Sequence, residues 1–193
     1  DLVRSRGLGD VYKRQIQFKK IDVGGVVEIS GSANGNDLDV GGRVHIGISL
    51  RLSGKLDVGG QAEIGNDLTA QDIDIGGSLK AKNVIAAGRV EVGGSIHTTL
   101  GVSASLVSIG KRGEVTGPLK ANDVSIREQA RVEDVYAKRI TMEEKSRARN
   151  LYAEEITIES DCHIGGKVQY MRVLRTEKDV FFAETPQKVE KLP

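Results

Sequence analysis

The side chains able to do chemistry in this chain are few: His45, His97 and His163, the single Cys162, and a carboxylate recurring at Asp22, Asp39, Asp57, Asp74 and Glu91. An imidazole can act as general base or metal ligand, an ionised thiol as nucleophile, and a row of carboxylates as a seat for hard divalent cations. Each use requires convergence, because ligands lie within about 2 Å of an ion and a nucleophile lies within hydrogen-bond reach of its base. Their positions along the chain therefore decide which uses are open.

The carboxylates are the middle residues of a phrase, Ile21-Asp22-Val23-Gly24-Gly25. It returns as Leu38-Asp39-Val40-Gly41-Gly42, Leu56-Asp57-Val58-Gly59-Gly60, Ile73-Asp74-Ile75-Gly76-Gly77 and Val90-Glu91-Val92-Gly93-Gly94. Degenerate copies start at Val107, Val124, Ile140 and Ile156, so successive starts are separated by 16 to 18 residues. A fixed period over nearly the whole chain marks a repeat architecture, and each aliphatic–polar–aliphatic start is a strand with one buried face.

Within one period the apolar pairs come three times: Val124 and Ile126, Ala130 and Val132, Val135 and Ala137. The next two periods repeat the pattern with Ile140 and Met142, Ser146 and Ala148, Leu151 and Ala153, then Ile156 and Ile158, Cys162 and Ile164, Val168. Three short in-out-in strands per turn predict an all-β fold, a single-stranded, three-faced (triangular) parallel β-helix solenoid of about nine coils of 16–18 residues. At about 4.8 Å per coil the rod is roughly 40 Å long. One coil alone cannot bury enough to offset its ordering, so the coils stabilise one another. From Ile21 to about Leu106 the first corner is Gly-Gly, suited to positive φ or to close backbone approach; from Val107 onward it turns charged, as in Arg127-Glu128-Gln129. Pro118 falls at the start of a third-face strand, where a missing donor is tolerable.

Placed on this stack, the reactive residues separate. The histidines take the outward middle position of the second face on different coils, the nearest two three coils or about 14 Å apart, too far for a shared metal or a triad. The carboxylates form an outward ladder, read as a solvated column that discourages edge association. Cys162 fills an inward slot shared with Ser146 and Ala130, an inert small thiol. Tyr136 and Tyr152 stack on the outer third face. At the last corner Asp123, Lys138-Arg139 and Glu154-Glu155 alternate in sign up the stack and help set register. Gly-Gly is no dinucleotide loop, since a strand rather than a helix follows it. No catalytic, cofactor-binding or metal residue is expected, and no small-molecule substrate.

Bulk composition agrees with a thin aliphatic core: 193 residues, 38% hydrophobic, 4% aromatic, 24 glycines and no Trp. A net charge of +1 supplies no field for nucleic acid or an anionic membrane. No stretch approaches the roughly 18 apolar residues of a membrane span, and one cysteine fits a reducing, cytoplasmic compartment.

The ends depart from the repeat. Residues 1–15 share nothing with it and resemble translated sequencing-adapter read-through; the alternative is a disordered basic arm. Residues 16–170 form the solenoid, and 171–193 a partial last coil or cap followed by a polar tail. All three phenylalanines lie at the ends, Phe18 before the first coil and Phe181 and Phe182 after the last. Large rings suit a lid over the narrow core, and equally a self-adhesive end.

The stretch from Val107 to Tyr170, above all Val124-Ser125-Ile126-Arg127-Glu128-Gln129-Ala130-Arg131-Val132 and its echo from Ile140 to Ala148, resembles the bactofilin family of polymer-forming cytoskeletal proteins. The Ile-Asp-Val-Gly-Gly coils are similar to those of a related archaeal-type branch. The resemblance spans about residues 16 to 170 and implies a right-handed β-helix that assembles end to end, without nucleotide, into a structural homopolymer. Two departures are a coil count above that of the usual core and no visible N-terminal membrane-targeting segment, which places any membrane attachment in a missing N-terminus. Physics points the same way: both ends of a β-helix expose unpaired strand edges, and a contact that does not close on itself gives a filament. The expected polymer interface comprises Ile16, Phe18, Val180, Phe181 and Phe182, and the expected partner is a second copy. Alternatives are a left-handed hexapeptide-type acyltransferase, which wants a strict 18-residue coil, and a monomeric stalk or adhesin.

Overall fold

A computed structural model describes residues 2–5, 9–11 and 15–193, with side chains from Gln15 onward. The described residues contain strands and turns and no helix. Strands stack in parallel as a β-solenoid of about ten turns. Each pairs with its equivalent one coil away: Ile21 opposes Leu38, Leu56 opposes Leu38 and Ile73, and Val124 opposes Val107 and Ile140. Side chains alternate along every strand, so this register carries one aliphatic column through the molecule. Ile21, Leu38, Leu56, Ile73, Val90, Val107, Val124, Ile140 and Ile156 are all buried.

The three faces are clear in the middle coils. Lys55–Val58, Gln61–Ile64 and Asp67–Ala70 make one turn, and Asp72–Ile75, Ser78–Lys80 and Asn83–Ala86 the next. Every fully buried side chain is aliphatic or small; no aromatic ring enters the core among the described residues. On the third face a large residue is followed by alanine, as in Leu68 and Ala70 or Leu151 and Ala153, which keeps that corner of the triangle narrow.

The Gly-Gly corner is explained by approach rather than by a left-handed backbone, since the positive-φ glycines are Gly101 and Gly117. A Cβ on Gly60 would lie 2.0 Å from the carbonyl oxygen of Gly42, and one on Gly77 2.0 Å from that of Gly60. The preceding glycines, Gly59 and Gly76, would meet nothing nearer than 3.9 Å. From Gly42 onward the second glycine of each pair is thus where consecutive coils touch through the main chain. Its N–H donates back to the preceding coil, from Gly60 to Val40 O at 2.9 Å and from Gly77 to Val58 O at 2.9 Å.

From Gly110 the corner has four residues, and the third is left-handed in each coil: Arg112, Gln129, Lys145, Asp161 and Asp179, with φ between 58° and 62°. Two residues have moved from strand to corner. The second-face strand shortens from four residues, Arg43–Ile46, to two in Arg131–Val132, Arg147–Ala148 and His163–Ile164. Meanwhile the third and first faces fuse into single strands, Leu119–Ile126, Asp134–Met142 and Asn150–Ile158.

Of the segment 1–15 set apart by its sequence, residues 1, 6–8 and 12–14 lie outside the described residues. The described backbone does not follow that division. Leu2–Ser5 pairs with Lys20–Val23, Gly9–Val11 with Val27 to Ile29, and Gln15–Gln17 with Ser32 to Asn34. These three strands form a turn ahead of Ile21, which the reading of about nine coils leaves out. At the other end, Phe181–Phe182 and Gln187–Lys188 complete a last coil on the second and third faces.

Candidate functional site

The five residues expected at the polymer contact all sit on terminal coils, but they divide by environment. Phe18 faces inward at the N-terminal end: a Cβ on Gly35, one coil on, would lie 2.2 Å from its ring, so the missing side chain of Gly35 is what seats the phenylalanine. Ile16 opposes Ala33 and is half-buried. At the C-terminal end Val180 and Phe182 pack on the core, Phe182 being the cross-strand partner of Ile164. These four close the ends of the aliphatic column. Phe181 differs. It points outward, is 54% exposed, and packs against His163 with ring centres 4.4 Å apart and planes tilted by 44°.

The terminal strands present open edges. Gln15–Gln17 has a strand partner on one side only, and so have Phe181–Phe182 and Gln187–Lys188 among the described residues. Each leaves a row of backbone N–H and C=O groups aimed along the rod axis, the arrangement that templates addition of another strand.

The histidines do not share one column. His45 follows the inward Val44 and His97 the inward Ile96, whereas His163 is the cross-strand partner of Arg147 and precedes the inward Ile164. The cause is the two-residue shift of the second face in the later coils. His45 Nδ1 lies 3.7 Å from Glu63 Oε2, and His97 Nδ1 3.2 Å from Thr116 Oγ1.

The carboxylate ladder is outward as expected and is bridged in part by cations from the neighbouring column. Lys55 Nζ donates to Asp57 Oδ2 at 2.8 Å and to Asp74 Oδ2 at 3.3 Å, which raises the Lys55 pKa, and Arg89 Nη1 lies 3.3 Å from Glu91 Oε1. Among the described residues no group of three or more His, Cys, Asp or Glu is placed to hold a metal ion.

Cys162 is buried and its Sγ donates to the carbonyl of Glu143 at 3.1 Å, as Ser146 Oγ does to that of Arg127 at 2.8 Å. Loss of solvent pushes the thiol pKa up, the reverse of what nucleophilic chemistry needs. Tyr136 and Tyr152 are stacked, with centres 4.8 Å apart and planes 14° from parallel, and Lys120 Nζ lies 5.7 Å from the Tyr136 ring centre. Desolvation raises both phenol pKa values. At the last corner Arg139 Nε is 3.2 Å from Asp123 Oδ1 and Arg172 Nε 3.4 Å from Glu154 Oε2.

What sequence reasoning missed is the phase of the second face and, with it, the pairing of His163 with Phe181. Adding the coil length of 16 to Arg131 and then to Arg147 points to that column. No helix of the described residues is long and apolar enough to cross a membrane. No family model, no curated protein and no solved structure matches the chain.

Proposed function

We propose that this protein is a structural homopolymer of the bactofilin type, assembling end to end into filaments without nucleotide. The observation that carries this reading is Phe181: an aromatic side chain 54% exposed on a terminal strand whose outer edge has no strand partner among the described residues. A second copy adding its first coil there would pair those backbone groups and cover the ring, continuing the same parallel register. The contact joins two different surfaces, so it propagates rather than closes.

The test is negative-stain electron microscopy of the purified protein in nucleotide-free buffer, beside the variant Phe181→Glu. The outward position of Phe181 leaves the core of the variant intact, which circular dichroism checks. Filaments in the parent and short or absent filaments in the folded variant are expected. Filaments of equal length in both reject the role of Phe181; a parent that stays monomeric at high concentration rejects polymerisation.

A further inference from the structure

The wider corner of the later coils lines a cationic groove. The left-handed residues Arg112, Gln129 and Lys145 form one wall of a groove of about 480 Å³, and Glu114, Arg131 and Arg147, outward on the second face, form the other. It therefore spans three coils and holds four cations against one carboxylate. The four cations are exposed.

Seven cations outside the groove, Lys55, Lys80, Arg89, Lys111, Arg139, Arg149 and Arg172, have a carboxylate oxygen within 4.0 Å, while others, Arg43 and Arg51 among them, have none among the described residues. Among the described residues Arg112, Arg131, Lys145 and Arg147 have none. Glu128, beside them, is already engaged by Lys111 at 2.7 Å, and Arg112 Nε spends its donor on Gln129 Oε1 at 3.0 Å. What sets this cluster apart from other unpaired surface cations is that Arg131 and Arg147 are direct cross-strand partners on one side, with Glu114 opposite Arg131 on the other. Like charges directly opposite on a sheet destabilise it, and here no carboxylate lies between them.

We propose that this groove binds a multiply charged oxyanion of the phosphate class, with the guanidinium forks of Arg131 and Arg147 as its principal donors and Arg112 and Lys145 completing the charge. Two forks one coil (about 4.8 Å) apart match an anion carrying successive phosphoryl groups along the rod axis. The groove is far larger than a single phosphate and falls within the size range of small-molecule sites. Binding relieves the Arg131–Arg147 repulsion, so the ligand stabilises the fold as well as occupying the groove. This site is independent of the polymer contacts.

Sodium tripolyphosphate is the probe, followed by titration calorimetry and by the melting temperature at low ionic strength. One equivalent binds and raises the melting temperature. Arg147→Ser and Arg131→Ser each weaken binding by about tenfold or more. Arg147→Lys, which keeps the charge and loses the fork, falls between. Arg43→Ser, on the same outward column in the Gly-Gly half and bonded to Gln61 at 3.1 Å, binds like the parent. Sedimentation with phosphatidylglycerol vesicles separates the sources of the chemistry. Co-sedimentation lost in Arg147→Ser identifies a lipid headgroup, and tripolyphosphate binding without vesicle binding identifies a soluble oligophosphate; either supports the site. No heat and no thermal shift at millimolar tripolyphosphate overturns the proposal, as does unchanged affinity in both serine variants. Overturned too is the case in which those variants alter only self-association, for then the groove is a contact between copies.

Discussion

Two halves of one solenoid turn the same corner by different means. In the coils from Ile21 to Ile96 the chain passes from first to second face through two glycines, and from Gly42 onward the second glycine lets one coil's main chain rest on the carbonyl of the coil before it. From Gly110 the passage takes four residues with the third left-handed, and the inward place at its end is filled by Gly113, Ala130, Ser146, Cys162 and Val180 in turn. The buried aliphatic column runs through both halves unchanged. The core thus constrains the number of apolar pairs per coil but not how residues are shared between strand and corner. The corner sets what lies outside. The Gly-Gly half carries the outward carboxylate ladder, whereas the wide corner projects side chains that line a cationic groove.

The largest effect that separates the halves is expected from alanine at the second glycine. Gly77→Ala drives a methyl group into the Gly60 carbonyl at 2.0 Å, an overpacking of backbone that costs about 2–3 kcal/mol and lowers the melting temperature by about 5–10 °C. Gly76→Ala, with its nearest neighbour at 3.9 Å, stays within about 0.5 kcal/mol of the parent. Equal melting temperatures for the two variants would break the close-approach account.

Ion pairs between coils occur in both halves, and their exposure ranks them. Asp134 is 18% exposed where it meets Arg149, with Arg149 Nε donating to Asp134 Oδ1 at 2.9 Å; Glu63 is 41% exposed where it meets Lys80. The guanidinium of Arg149 holds the Asp134 carboxyl below the usual range. Its contribution is therefore present above the ordinary carboxylate pKa of about 4 and is lost as pH falls through the depressed folded value. Asp134→Asn should cost about 1 kcal/mol at pH 7, and the gap to the parent should narrow in thermal melts between pH 7 and pH 3. A gap that does not change with pH would remove the ion pair from the account.

A smaller change of opposite sign is expected at the left-handed corner. Lys145 has φ 58°, a conformation that costs a non-glycine residue about 1 kcal/mol or more, so Lys145→Gly gains about 0.5 kcal/mol after the entropy glycine adds to the unfolded chain. A loss in chemical denaturation would show that the side chain contributes more than its backbone strain costs. The smallest perturbation is Cys162→Ser, which copies Ser146 and should shift stability by less than about 1 kcal/mol. In the parent, the buried thiol should react with an aromatic disulfide reagent only on unfolding; fast labelling of the native protein contradicts its burial.

The columns of the core were legible because Ile21, Leu38, Leu56 and their successors repeat with both the strand period and the coil period. The phase of the second face was not. A two-residue shift leaves an in-out-in pattern unchanged, so His163 read like His45 until strand pairing put it beside Arg147. The Gly-Gly pairs left two explanations open, and only the distance to the preceding coil chooses between them. The Arg131–Arg147 groove was hidden for a similar reason: its residues are 16 apart in sequence and adjacent in space. The terminal rings were legible as a class, being absent from the core. Which of them caps and which projects depends on Gly35 making room for Phe18 and on the outward turn of Phe181.

End-to-end growth of a parallel solenoid is tested most directly by diffraction from oriented filaments of the purified protein. Strands that run across the filament, with coils stacked along it, give a reflection near 4.8 Å on the meridian, and this is the result expected. Filaments with that spacing off the meridian, or a protein that yields no filaments to orient at high concentration, would contradict it.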